Sequence, residues 1–209
     1  MIPRQRLGPI RRLIVAVIAA AVVAGTAAPV TATHNLNSRK WDQQQYGIYN
    51  YAPRYYYNAD VPSTCRSRFG EMAGTWNGLN RELRYLAGSG YTVYIEVKYQ
   101  DLAWPNNDDV AFNELDAFNN ITWQKISFNN NVDRPDGSRW FPYCGTGTPA
   151  SDEYDFRGVV LHELGHNQIQ NHTTNTADIM YCCFGSGYSK HTLTTHDKDS
   201  FKALYAAAS

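Results

Sequence analysis

Charge of neither sign prevails in this chain. In 209 residues, 19 Lys plus Arg balance 19 Asp plus Glu, and no basic stripe stands out. A nucleic-acid partner, which needs a concentrated positive face, is therefore not expected. The 4 cysteines include no C-x-x-C pair, which excludes the usual thiolate zinc module. Internal repeats and long low-complexity stretches are missing too, so a solenoid is not expected. Long apolar runs are lacking beyond the first 32 residues. Finally, no glutamate follows Glu163, so no later glutamate can act as a ligand or base.

What is present begins with an amino-terminal leader. Arg4, Arg6, Arg11 and Arg12 precede an apolar run from Leu13 to Ala24, and small residues follow. That order reads as a secretory signal peptide over 1–32, cleaved after Ala32. The mature chain is expected to be secreted and extracellular, a monomer, with no stable membrane association once the leader is gone. Residues 33–50 read as a polar arm, and 51–209 as one domain whose core suits the 43% hydrophobic content. An even cysteine count in an exported chain favours two disulfides. Adjacent cysteines rarely bond each other because the intervening peptide would be strained. Cys182 and Cys183 are therefore expected to bond separately to Cys65 and Cys144.

Periodicity supplies the elements. Ala52 to Asn58 reads as a strand, and Pro62 opens a helix with Phe69, Met72, Ala73, Trp76 and Leu79 on one face. Tyr91 to Tyr99 alternates apolar and polar residues, as a half-buried strand does. Ile121 to Phe128 alternates more weakly, as edge strands often do. Residues 129–147 read as loop; Asn131, Asp133 and Asp136 before Gly137 make either a polar turn or a calcium cage.

The chemistry lies in HELGHNQIQNH, residues 162–172. Asp155 is a candidate N-cap, with Phe156, Val159, Val160 and Leu164 on one helix face. His162 and His166 are four apart, so one helical turn puts both imidazoles on the same side. Glu163 is offset by about 100 degrees, where its carboxylate can reach a water on the metal rather than the metal itself. With six His and six Glu in 209 residues, chance gives H-E-x-x-H in roughly one such chain in two hundred. A catalytic zinc wants a third protein ligand and one open position. The candidates are His172, His191, His196, Asp178, Asp197 and Asp199.

The spacing of His162, Glu163, His166 and His172 resembles that of the metzincin zinc metallopeptidases. Ala177-Asp178-Ile179-Met180-Tyr181 is similar to their Met-turn in its matrixin version. Leu193 to Tyr205 is similar to the last helix of matrixin-like domains, and ISFN at 126–129 to the strand that borders their cleft. The likeness is to matrixin-like enzymes of the secreted bacterial type. It departs from the family at Ile169, where the family has glycine, and in the vicinal cysteines after the Met-turn. The resemblance implies that His162, His166 and His172 bind zinc and that Met180 lies beneath it. It also implies Glu163 as general base and then acid. The implied fold is α/β (α+β): a metzincin-like zincin domain with a twisted mixed sheet, an active-site helix and a C-terminal helix.

The expected function is then that of a secreted zinc endopeptidase. It would hydrolyse peptide bonds of a protein or peptide substrate through a zinc-bound water activated by Glu163. The substrate would lie extended between the 121–128 strand, taken as the edge, and the active-site helix. His172 is expected as third ligand over Asp178, which sits inside the Met-turn segment and would cap a turn through a backbone N–H. If Ile169 resists the turn before His172, Asn167 or Asn171 can take the left-handed conformation in its place. A reading from a different class keeps the fold as a secreted binding or inhibitor module with a non-catalytic zinc site. Glu163 argues against it, since a retired site has no chemical need of that carboxylate.

Overall fold

The computed structural model describes residues 40–102, 109–115, 120–168, 170–183 and 185–209, all within one compact unit, Ala32–Ser209. The segment read as a signal peptide, the start of the polar arm and Ile169 lie outside the described residues. No helix among the described residues is long and apolar enough to cross a membrane.

In chain order the first elements are β1 (Arg54–Tyr57), α1 (Ser63–Asn77), β2 (Leu86–Ala87), β3 (Tyr94–Gln100), β4 (Ala111–Leu115) and β5 (Trp123–Asn129). The strands form one sheet in the order β2-β1-β3-β5-β4, parallel except for β4. The period of two in β3 works as expected: Val93, Ile95 and Val97 are buried, while Tyr94, Glu96 and Lys98 face outward. Tyr91 does not join the buried row, because the strand begins only at Tyr94 and leaves Tyr91 exposed.

One strand expectation needs correcting. β5 covers most of the segment read as an edge, yet it lies between β3 and β4. Among the described residues the sheet ends on this side at β4, which pairs antiparallel with β5 from Ala111↔Phe128 to Leu115↔Gln124. The weak alternation of β5 has another cause: Ile126, Ser127, Phe128 and Asn129 are all buried, so both of its faces are covered in that half. Ahead of it, Trp41 is also buried and bridges to Ile121, with Asp42 N–H donating to Ile121 O at 2.8 Å.

Residues 129–147 are more ordered than their loop-like composition suggests. β6 (Val132–Asp133), β7 (Arg139–Tyr143) and β8 (Glu153–Asp155) form a second small sheet. Gly137 turns at φ 83°, and Asp136 Oδ1 accepts from Ser138 N at 2.9 Å and Ser138 Oγ at 2.6 Å. Asp133 pairs with Arg139 at 3.3 Å. These contacts make a polar turn of the segment.

Two more helices follow, α2 (Phe156–Asn167) and α3 (Thr195–Leu204). α1 packs on α2 and buries Phe69, Met72, Ala73 and Trp76 in the core, as its helical spacing requires. Three ring donors then reach carbonyls spaced three apart along α2. Trp76 Nε1 donates to Leu161 O at 3.2 Å, Tyr85 OH to Leu164 O at 2.8 Å, and Trp41 Nε1 to Asn167 O at 2.7 Å. All three rings are buried, so these bonds fix the helix in rotation as well as in position.

The disulfides also differ from expectation. Cys65 bonds Cys144, and Cys182 bonds its neighbour Cys183. Cys65 is buried in the first turn of α1, and its Cα lies 4.9 Å from that of Cys144, just past β7, well within bridging range. That tertiary proximity takes up both distant cysteines. The two exposed cysteines after Met180 have only each other, and no free cysteine remains.

Candidate metal centre

Helix α2 starts where the local sequence says it should. Asp155 is extended at φ −71° and ψ 101°, and its side chain accepts from Arg157 N–H at 3.2 Å. The same carboxylate takes Arg157 Nε at 3.2 Å, Lys190 N–H at 3.1 Å and His191 Nδ1 at 2.7 Å. Arg157 continues to Thr146 O and Gly147 O. The helix entrance is thus tied to two separate loops by a buried ion pair whose remaining valences are filled.

Twelve residues later the helix ends at Asn167, and the chain returns with His172. Nε2 of His172 lies 3.1 Å from Nε2 of His162 and 3.2 Å from Nε2 of His166. Nitrogens at 2.0–2.1 Å from one tetrahedral zinc would stand about 3.3 Å apart. Among the described residues, this is the one group of His, Cys, Asp and Glu side chains that could hold a metal ion. Its protonation is set from behind. Nδ1 of His162 is 2.8 Å from Ile179 O, and Nδ1 of His166 is 2.8 Å from Gln170 O. A carbonyl only accepts, so each Nδ1 carries the proton and each Nε2 keeps its lone pair toward the cluster.

Burial sharpens that state. It pushes His162 well below the ordinary imidazole pKa, helped by the charge of His166, and pushes His166 down to about 4. His172 is lowered as well, again by burial. Three neutral imidazoles are the form that a metal requires. Glu163, buried beside them, moves the other way: burial raises it to about 8, the Asn113 side chain lowers it, and Asp109 raises it further.

The rival ligands are all engaged elsewhere. Asp178 is buried and accepts from His196 Nδ1 at 2.6 Å, Thr194 Oγ1 at 2.8 Å, Asn175 Nδ2 at 3.0 Å and Thr173 Oγ1 at 3.3 Å. Its partners among the described residues are side chains and not the backbone N–H expected of it. Burial alone would raise its pKa, but these hydrogen bonds and the charge of His196 hold it below the ordinary carboxylate value. His191 goes to Asp155, and Asp199 to Lys202. Asp197 closes the capping box of α3 with Thr194 and also accepts from the backbone N–H groups of Ile179 and Met180, at 3.0 and 3.4 Å.

Met180 is fully buried, and a methyl group at position 165 would overlap its Sδ, so Gly165 lets this segment close under the helix. Met180 O accepts from Thr173 N–H at 2.9 Å, which brings the chain just after His172 back to the turn. Among the described non-glycine residues the positive φ falls at Asn80, so neither Asn167 nor Asn171 makes a left-handed turn. Gln168, just past the helix, has φ −91° and ψ 6°. Sequence reading missed Gly165 and Asn113 here, and it held Asp197 as a candidate metal ligand instead of the cap that grips Ile179 and Met180. Asp197 had a signal in the T-x-x-D spacing before an amphipathic helix; the other two had none.

No curated protein matches the chain. Among solved structures the fold is similar to high choriolytic enzyme 1, a hatching-enzyme zinc protease from Oryzias latipes (medaka). The identity is 13%, the TM-score 0.49, and the match covers 81% of this chain and 96% of that one. The matrixin family model matches residues 33–206, a span that runs from before the first strand to the end of α3. On that match the chain belongs to the matrixin family, whose members are zinc metalloendopeptidases.

Proposed function

We propose that His162, His166 and His172 hold the zinc and that Glu163 is the proton carrier of a secreted endopeptidase. The observation that carries this reading is the convergence of three neutral Nε2 atoms beside one buried carboxyl. When bound, zinc supplies Lewis acidity, polarising the scissile carbonyl and acidifying the attacking water. Glu163 takes a proton from that water at a carboxylate oxygen and delivers it to the leaving amine nitrogen. A carboxyl raised to about 8 binds and releases a proton near neutrality, and a neighbouring cation would favour its charged form. Ile179 O and Gln170 O keep two imidazoles in the ligating tautomer throughout.

The substrate is a protein or peptide, laid extended along the free edge of β4 with backbone groups paired as an added strand. Residues 1–32 serve as the cleaved export signal, 33–50 as a polar arm and 51–209 as the catalytic domain. The mature enzyme acts as an extracellular monomer. The test is hydrolysis of a denatured protein with and without a chelator, using wild type and Glu163→Gln. Gln keeps the shape but cannot accept the proton, so turnover should fall at least about a hundredfold with zinc retained. Near-normal turnover in zinc-loaded Glu163→Gln would sink the mechanism. Zinc binding with no hydrolysis by wild type would favour a binding module on the same fold.

A further inference from the structure

Asn113 sits on β4, the strand that carries the free edge, and the reaction described above gives it no task. Its Nδ2 donates to the backbone oxygen of Glu163 at 3.2 Å and to Oδ1 of Asn167 at 2.7 Å. Positions 163 and 167 are one helical turn apart. One amide therefore spans the row of α2 that bears Glu163, while His162 and His166 occupy the adjacent row. The amide's orientation follows from chemistry. Glu163 O can only accept, so the nitrogen of Asn113 has to face it.

Asn113 Oδ1 and Asn167 Nδ2, the other atoms of this contact, are buried and have no hydrogen-bond partner among the described residues. Buried polar groups are normally paired, so such atoms call for an explanation. Apolar side chains could have packed β4 on α2 with no idle polar atom.

We propose that Asn113 is a positioning residue for the reaction. It locks the Glu163 face of α2 to the substrate-bearing edge, so that the carboxylate meets the water beside a peptide lying on β4. The inference rests on the assignment of Glu163 as proton carrier. A strap of this kind governs reach, not affinity: small misplacement of a reacting group lowers turnover while binding persists.

The test is a double-mutant cycle on the zinc-loaded mature enzyme, joining Asn113→Ala to Glu163→Gln. Asn113→Ala alone should lower kcat about 10- to 100-fold, with KM changed less than about threefold. In the Glu163→Gln background the same change should cost less than about twofold, since the group it positions is already gone. Zinc affinity, measured by competition with a chromophoric chelator, should stay within about threefold of wild type. Equal losses in both backgrounds, a rise in KM at unchanged kcat, or a parallel loss of zinc would each overturn the proposal. Asn113→Leu, which keeps the volume, repeats the cycle if the alanine variant does not fold. If neither folds, the amide is a structural strap and the positioning role is wrong. Failure of the functional reading itself shows elsewhere, in an inactive wild type or an undiminished Glu163→Gln.

Discussion

The two halves of the candidate metal centre are held by different physics. His162, Glu163 and His166 stand on a capped helix, where 3.6 residues per turn alone brings the two imidazoles together. His172 and Met180 stand on irregular chain and reach the site only because distant groups hold them. Asp197 of α3 grips the backbone of Ile179 and Met180, and Asp178 gathers Thr173, Thr194 and His196. The bracing differs in the same way. Cys65–Cys144 spans 79 positions and ties α1, which packs on α2, to the chain after β7. Cys182–Cys183 closes no loop beyond its own peptide. A helix presents ligands by local geometry, whereas a loop presents them by buried polar anchors.

The largest effect should come from breaking the loop half. His172→Ala should lose both zinc and activity, whereas Asp178→Asn should keep its zinc. Zinc content by elemental analysis checks both variants. Retention of metal by His172→Ala together with its loss in Asp178→Asn would make the loop half's ligand the aspartate.

A middle-sized effect should separate the two cystines. Replacing Cys65 and Cys144 by Ala releases a long loop and should cost about 4 kcal/mol in denaturant unfolding. Replacing Cys182 and Cys183 by Ser should cost less than about 0.5 kcal/mol, the range of surface changes that touch no buried feature. Equal costs would mean that the vicinal pair braces the loop half after all.

The smallest effect tests the helix half. Burial holds His162 and His166 below the ordinary imidazole pKa, so the folded chain refuses protons that the unfolded chain accepts. Stability from this source is complete above about pH 6.5 and is lost as pH falls toward about 4. Chelator-stripped protein should therefore melt at progressively lower temperature across that window. His166→Gln, which does not titrate, should show a shallower decline. An unchanged slope would place the acid sensitivity in the loop half, where Asp178 also has a lowered pKa.

Legibility followed the range of the interactions. The N-cap at Asp155, the helix face and the pair of histidines could be read because every determining contact lies within a few residues. β3 and α1 were readable for the same reason, through periods of two and of 3.6. β4 was not: five residues with Asn and Glu at their centre carry no strong alternation, and pairing with β5 decides their state. That omission moved the outer strand of the sheet one strand inward. It also hid Asn113, whose role depends on what lies across the gap. The cystine pairing failed because the rule against vicinal bonds is statistical, while the meeting of Cys65 with Cys144 is geometric.

By itself, then, the sequence determined which side chains could do the chemistry and how the first two histidines are spaced, since a helix converts spacing into direction without outside help. It also narrowed the third ligand to a short set. Tertiary structure decided which member of that set comes beside His162 and His166, because Asp178, His191, His196 and Asp197 are each engaged by other partners. Buried acceptors and donors must be satisfied by groups far away in the chain, and that matching has no local signature. Asp178 is occupied by a histidine 18 residues on and Asp155 by one 36 residues on, and His172 is left facing His162 and His166.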